Sequence, residues 1–425
     1  MKRYVFKWSA VFVLLSLAIF CVYLYSNLSP ELVEPTTPST PTVSTPDKEV
    51  FLTTYPKAPL YEPFLGCDYL LPITGSGDDE VLELLTHDEF YYAFGNTDSP
   101  DYDFGVKNKS CFVMQITNNG VAKKVATMTG SYLHSKLTPF GIVVALLIDD
   151  GVQIILLDYD LNLEDSFIHP RSKSAKIVLT ASKITVLTTS PSAVINYTKT
   201  DGFSYSTIDV QLTDIVSLEY IQNTLYAVAN TDSQPVILTI SNELYSTTVS
   251  NMKKVDSAIP FFDKRLGFVL SGKDMDIATI SAVFCDGEVS WAKRFFNSSH
   301  TFLVPSSEGY LVFIREGESS TCIRLCSHGD IVENCVLPFT NLFPISYFLV
   351  DATTFLLLKD TQYDKSTVAT FSVADSACML YQFDASPCGF VPSLDGVILS
   401  LSVSQPFGNF SSGKGGLDCF LLKLK

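Results

Sequence analysis

The chain has 425 residues, 47% of them hydrophobic and only 17% charged, with 45 acidic against 29 basic side chains. That apolar share excludes a disordered chain, which could not bury enough surface to offset the entropy of folding. A formal net charge of −16 argues against nucleic acid or an anionic surface as partner.

The first element is a membrane signal. Lys2, Arg3 and Lys7 precede an uncharged run over residues 8–25, long enough at about 1.5 Å per residue to cross most of the hydrocarbon layer. Basic residues before it, with Glu31 and Glu34 beyond it, orient residues 1–7 toward the cytoplasm. The expectation is a single-pass cell-membrane anchor with everything after it outside. A cleaved signal peptide is the competing reading, but no small-x-small site follows the apolar core. Cys21 does not read as a lipidation site, because bulky Phe20 stands where a small residue is needed.

Residues 26–66 read as an extracytoplasmic stalk. Pro30, Pro35, Pro38, Pro41 and Pro46 alternate with Thr and Ser. Proline fixes φ and removes a donor, so this piece should stay extended and reach on the order of 50 Å.

From residue 67 to 425 no amphipathic helix is evident. Short β-rich runs recur instead, at residues 142–148, 153–158, 176–180, 184–189, 236–240, 311–314 and 355–358, each bounded by Gly, Asp, Asn, Ser or Pro. Runs this short and apolar read as buried strands. Tyr92-Ala93-Phe94-Gly95-Asn96-Thr97-Asp98-Ser99 is echoed by Tyr226-Ala227-Val228-Ala229-Asn230-Thr231-Asp232-Ser233. Units begin near Ile73, Ser131, Ala175, Ile215, Val255, His300, Leu342 and Gly389, most of them about 40–45 residues long, the length of a four-stranded propeller blade. The expectation is an all-β fold: a β-propeller of about eight blades, or seven because the third unit is poorly marked after Ser190, preceded by one transmembrane helix.

The motifs carry a resemblance. Gly75-Ser76-Gly77-Asp78-Asp79, then Gly95 to Ser99, then Asp101-Tyr102-Asp103-Phe104, resemble repeats of bacterial cell-surface β-propeller proteins. So do Gly413-Lys414-Gly415-Gly416 and Asp418-Cys419-Phe420-Leu421-Leu422-Lys423-Leu424, and Gly287-Glu288-Val289-Ser290-Trp291 is similar to the tryptophan step of that pattern. The resemblance implies a propeller outside the cytoplasm and no particular activity.

A ring of sheets must close, because unpaired edges invite aggregation. The last unit supplies three strands and stops, so Tyr69, Leu70, Leu71 and Ile73 are expected to complete it beside Cys419, Phe420 and Leu421. Ten cysteines in an extracytoplasmic chain raise the question of disulfides. Cys111, Cys322 and Cys419 fall at one repeat position and read as small buried residues. Cys326 and Cys335 flank a Gly-containing turn and could bridge; Cys67 could reach Cys419 if the closing strand sits as expected.

Asp98, Asp101 and Asp103 gather beside Asn96 in an oxygen-rich loop. Ca²⁺ is one reading and ordinary turn capping, which also suits Asp78 and Asp79, the other. His87, His134, His169, His300 and His328 are scattered, with His169 reading as a loop residue. No nucleophile elbow, P-loop or zinc pattern accompanies them. No catalytic residue and no cofactor are therefore assigned. The functional expectation is a monomeric, membrane-anchored, non-enzymatic binding module for a protein or glycan at the cell surface. The alternatives are a glycan-active propeller enzyme and a structural part of an envelope assembly.

Overall fold

A computed structural model describes residues 51–54, 60–61, 67–73, 77–100, 109–180, 182–241, 244–296, 298–306, 309–317, 319–336, 342–350, 353–360, 366–372, 377–383, 386–393, 396–403 and 418–424. The apolar run at 8–25, and Asp101 and Asp103, lie outside them. Among the described residues every regular element is a strand, and no helix is long and apolar enough to cross a membrane. One compact unit runs from Pro46 to Lys425.

Among its described residues the strands form eight sheets, each built on four antiparallel strands that make a blade, and two of the sheets carry a fifth strand. Their first strands are Asp79–His87, Ser131–Thr138, Ala175–Leu179, Leu212–Ile221, Lys254–Asp263, His300–Ser306, Leu342–Val350 and Ser386–Ser393. Each first strand approaches the first strand of the next blade, and the eighth approaches the first, so the first strands surround an axis and the fourth strands lie outermost. Eight blades replace the alternative of seven. The poorly marked third unit holds Ala193–Thr198 and Gly202–Thr207; the second of these is an outer strand of mostly exposed residues, which explains its weak apolar signal.

Local chemistry sets the hairpins. Between the first two strands of blade four, Gln222 and Asn223 both have positive φ, 48° and 64°. Two such residues are what a type I′ turn requires, and this turn matches the twist of the strands it joins.

The core is a set of layers between blades. Tyr92, Phe94 and Cys111 of blade one pack on Ile142, Val144 and Leu146 of blade two. Val228 and Ile237 of blade four meet Phe268 and Leu270 of blade five. Ile73 and Leu421 of blade eight meet Val81 and Phe112 of blade one. Middle strands are therefore apolar on both faces, as in Gly141–Ile148, whose first six residues are all buried.

The eighth blade takes its outer strand from the start of the ring. Cys67–Ile73 runs antiparallel to Asp418–Leu424, with Tyr69 opposite Lys423, Leu70 opposite Leu422, Leu71 opposite Leu421 and Ile73 opposite Cys419. Pro72 stands opposite Phe420. This register separates Cys67, opposite Leu424, from Cys419 by nearly the whole strand, so the two cannot bridge.

The stalk boundary at residue 66 also needs correction. Phe51–Thr54 adds in parallel to the outer strand of blade six, and Leu60–Tyr61 adds in parallel to that of blade seven. The prolines that forbid sheet pairing stop at Pro46 before resuming at Pro56, and Phe-Leu-Thr-Thr between them is free to offer its backbone to an open edge.

Candidate functional site at the axial cavity

The first strands enclose a cavity of about 320 Å³, lined by blades two to seven. Side chains alternate across a strand, so every second residue of a first strand can face the axis. His134 and Lys136 come from blade two, Lys176 from blade three, Glu219 from blade four, Asp256 from blade five, Phe302 from blade six and Tyr347 from blade seven. One wall is therefore basic, the next two blades round the ring contribute carboxylates, and the aromatic rings of blades six and seven complete the lining.

Lys176 and His134 are each held by a backbone group of the next blade. Lys176 donates from Nζ to the Val216 carbonyl at 2.6 Å, bridging blades three and four. Burial lowers its pKa below the ordinary lysine value, while Asp214 and Glu219 pull it upward and Lys136 pushes it further down. His134 accepts at Nδ1 from the Ile177 amide at 3.3 Å, which leaves its other nitrogen to carry the proton. Burial, reinforced by Lys136 and Lys176, lowers its pKa to about 3. His134 is thus a neutral ring near pH 7. Burial and the nearby Glu219 raise the Tyr347 phenol, so it is protonated too.

The acids divide into two kinds. Glu83, on the first strand of blade one, accepts from the Ser135 amide at 3.1 Å and the Ser135 hydroxyl at 2.8 Å, and also from the Tyr132 hydroxyl. It ties blade one to blade two. Asp256 pairs with Lys254 at 3.0 Å, and Glu219 accepts from Ser217 at 3.3 Å; both still face the cavity.

The residues singled out by motif do not converge here. Asp98 accepts the Asp78 amide at 2.6 Å and so joins the exit of the second strand of blade one to the entry of the first. Among the described residues no group of three or more His, Cys, Asp or Glu could hold a metal ion. His169 is not a loop residue: it sits in Leu163–Pro170, 3% exposed, with Nδ1 2.6 Å from the Ser172 hydroxyl. The suggested Cys326–Cys335 bridge fails on register. Leu325 stands opposite Ile331, so Cys326 ends its strand at the turn, and Cys335 lies roughly 13 Å from Ile331 along the neighbouring strand at about 3.3 Å per residue. Its partner across the sheet is Cys322. The cavity residues themselves were missed, because each stands alone in its own unit. The legible signal was a charge at alternating positions of successive first strands: Lys136, Lys176, Glu219 and Asp256.

Ring closure, four-stranded blades and an axial cavity decide the fold. The chain is a β-propeller. The structure of BamB from Moraxella catarrhalis matches it with a TM-score of 0.53 at 8% identity, over 84% of this chain and 98% of that one. The dihydro-heme d1 dehydrogenase NirN in complex with DHE matches with a TM-score of 0.49 at 11% identity, over 82% and 81% of the two chains. The β-propeller domain of Myceliophteria thermophila Cps50 (Swd1) gives 0.43 at 7% identity, over 70% and 97%. Likeness at such identities is one of fold alone. No protein-family model matches the chain, and no curated protein matches it in sequence.

Proposed function

We propose that this propeller is a membrane-tethered, extracytoplasmic binding module that engages a protein partner at its axial cavity, as the bacterial cell-surface resemblance of its repeats suggests. The cavity carries the reading. Lys136 and Lys176 line it next to Glu219 and Asp256 on the following blades, with Phe302 and Tyr347 on the blades beyond, a surface able to hold a segment bearing both charges and an apolar body. Sequence supports the setting: the basic-flanked apolar run at 8–25 has the composition of an anchor, and the proline-rich stretch up to Pro46 that of a spacer.

The test compares two sets of variants of the protein against envelope extracts, with circular dichroism as the folding control. Lys136→Ala with Asp256→Ala should abolish capture of the partner, while Tyr245→Ala on the exposed outer strand of blade four should not. Equal capture by both sets would overturn the cavity as the docking site.

A second reading, a glycan-active enzyme, draws on Glu219 and Asp256 reaching one cavity from adjacent blades. Turnover of a polysaccharide panel that is lost in Glu219→Gln and in Asp256→Asn would favour it over binding alone.

A further inference from the structure

We propose that Cys322 and Cys335 are joined by a disulfide across the last two strands of blade six when the chain folds in an oxidising compartment. The two residues are direct partners in the antiparallel register of Ser319–Cys326 and Ile331–Val336. Direct partners have Cα atoms about 4.5–5.5 Å apart, inside the window of roughly 4.4–6.8 Å that a disulfide spans. Both side chains enter the same layer, between Phe313 and Leu311 of blade six and Leu356 and Leu358 of blade seven. They are 2% and 5% exposed, and the Cys322 thiol is in hydrogen-bonding contact with the Cys335 sulfur.

Two homologous positions serve as internal comparison. Cys111 and Cys419 occupy the same place in the third strands of blades one and eight and are equally buried. Across the sheet they face Met128 and Ile73. Only at the third of these positions does a second cysteine stand opposite, so burial as a small residue accounts for Cys111 and Cys419 but leaves Cys335 unexplained.

The chemistry is thiol–disulfide exchange with a disulfide oxidant, either a small-molecule disulfide or a dithiol oxidoreductase in its oxidised form. One cysteine thiolate attacks a sulfur of the oxidant and expels one thiolate. The second cysteine then attacks the mixed disulfide, forms the Sγ–Sγ bond and expels the other. Two thiol protons leave the protein, and the oxidant ends as two thiols. In the closed blade the Cys322 thiol is held protonated by its burial, so exchange belongs to assembly, before blade seven covers the pair.

The inference takes its oxidising setting from the extracytoplasmic reading, and the experiment separates the two. The full chain, reduced in urea, is refolded with oxidised glutathione, quenched with an alkylating agent under denaturing conditions and mapped by mass spectrometry. The expected result is a linked peptide pair containing Cys322 and Cys335, lighter by two hydrogens, with Cys111 and Cys419 fully alkylated. Alkylation of all four, or linkage of Cys322 in the parent chain to a cysteine other than Cys335, would overturn the pairing. The same map on protein taken directly from cells tests the compartment: thiols there, beside a bond formed with glutathione, would leave the pairing intact and remove the extracytoplasmic setting.

Discussion

Thr97 donates its hydroxyl to Asp79 Oδ1 at 2.6 Å, with both side chains closed off from water. Ser99 donates to the two oxygens of the same carboxylate at 3.0 and 2.9 Å and accepts the Gly77 amide at 3.0 Å. The Gly-Asp-Asp and Asn-Thr-Asp-Ser motifs of the first blade are thus two halves of one buried polar lock. They fasten the entry of the first strand to the exit of the second.

Removing the acceptor should be costly. Asp79→Ala leaves the Thr97 and Ser99 hydroxyls without it in a site closed to water, and each unsatisfied group costs about 1–3 kcal/mol. A loss of about 3 kcal/mol is expected in urea unfolding, with Asp79→Asn milder because the amide oxygen still accepts. A change under about 0.5 kcal/mol for Asp79→Ala would show that the lock contributes nothing.

The neighbouring glycine is required by proximity. A Cβ on Gly95 would lie 1.8 Å from the Glu80 carbonyl oxygen and 2.9 Å from the Phe112 ring. Backbone cannot step aside as a flexible side chain can, so Gly95→Ala must push the first strand away from the second. Overpacking of this kind costs about 1–3 kcal/mol. Urea midpoints of Gly95→Ala and of Gly317→Ala, whose added Cβ would meet nothing within 4 Å but whose φ is +62°, separate crowding from backbone strain.

Asn230 should matter more than its place in a polar turn suggests. Its side-chain amide donates to the Val255 carbonyl and accepts the Val255 amide, both at 2.9 Å, so one side chain pairs with the first strand of the next blade as a strand would. Asn96, its counterpart in blade one, accepts the Tyr132 amide of blade two at 2.8 Å. Asn230→Ala should cost about 2–4 kcal/mol by leaving two buried backbone groups unpaired. Asn230→Asp should be worse, since an ionised carboxylate would face the Val255 carbonyl; if Asp proves better tolerated than Ala, the donor role is wrong.

How much of this was legible follows from where information sits in a repeat. Blade starts at Ser131, Ala175, His300 and Leu342 could be read directly, because strand, turn and strand recur at one period and the pattern needs no distant contact. The roles of Asn96 and Asn230 could not. Asparagine is also an ordinary turn residue, and only a partner in the next blade distinguishes a staple from a cap. The cavity was less legible still: Lys136 and Asp256 are 120 residues apart and meet only because the ring closes. The Cys322–Cys335 pairing turned on register, which a Gly-containing turn of unknown length does not fix.

His134 gives a dependence on pH. Its pKa is about 3 in the folded chain against an ordinary 6.5, so between those values the unfolded state binds the extra proton. Stability contributed by the neutral ring is complete above pH 6.5 and falls as pH drops through the window toward 3, by up to roughly 1.4 kcal/mol per unit. His169 and His300, also lowered by burial, act in the same direction. His134→Gln, whose amide oxygen can still accept the Ile177 amide, should flatten this slope in urea titrations between pH 4 and 6.5 relative to the parent. An unchanged slope would show that His134 is hydrated in the folded protein.

The closing strand can be tested by shortening the chain. Beginning at Cys67 removes Phe51–Thr54 and Leu60–Tyr61, which add only to the outer edges of blades six and seven. Beginning at Gly75 also removes Cys67–Ile73, and with it the backbone pairing to Asp418–Leu424 and the buried Ile73 side chain. Each lost hydrogen bond is worth about 0.5–1.5 kcal/mol net, and burial of an isoleucine adds about 1.5–3 kcal/mol. The first shortening should therefore lower the urea midpoint slightly, and the second by several kcal/mol in stability. The second should also associate on size exclusion, since the Asp418–Leu424 edge becomes free to pair with another chain. Equal stability of the two shortened chains would mean that the ring does not depend on its closing strand.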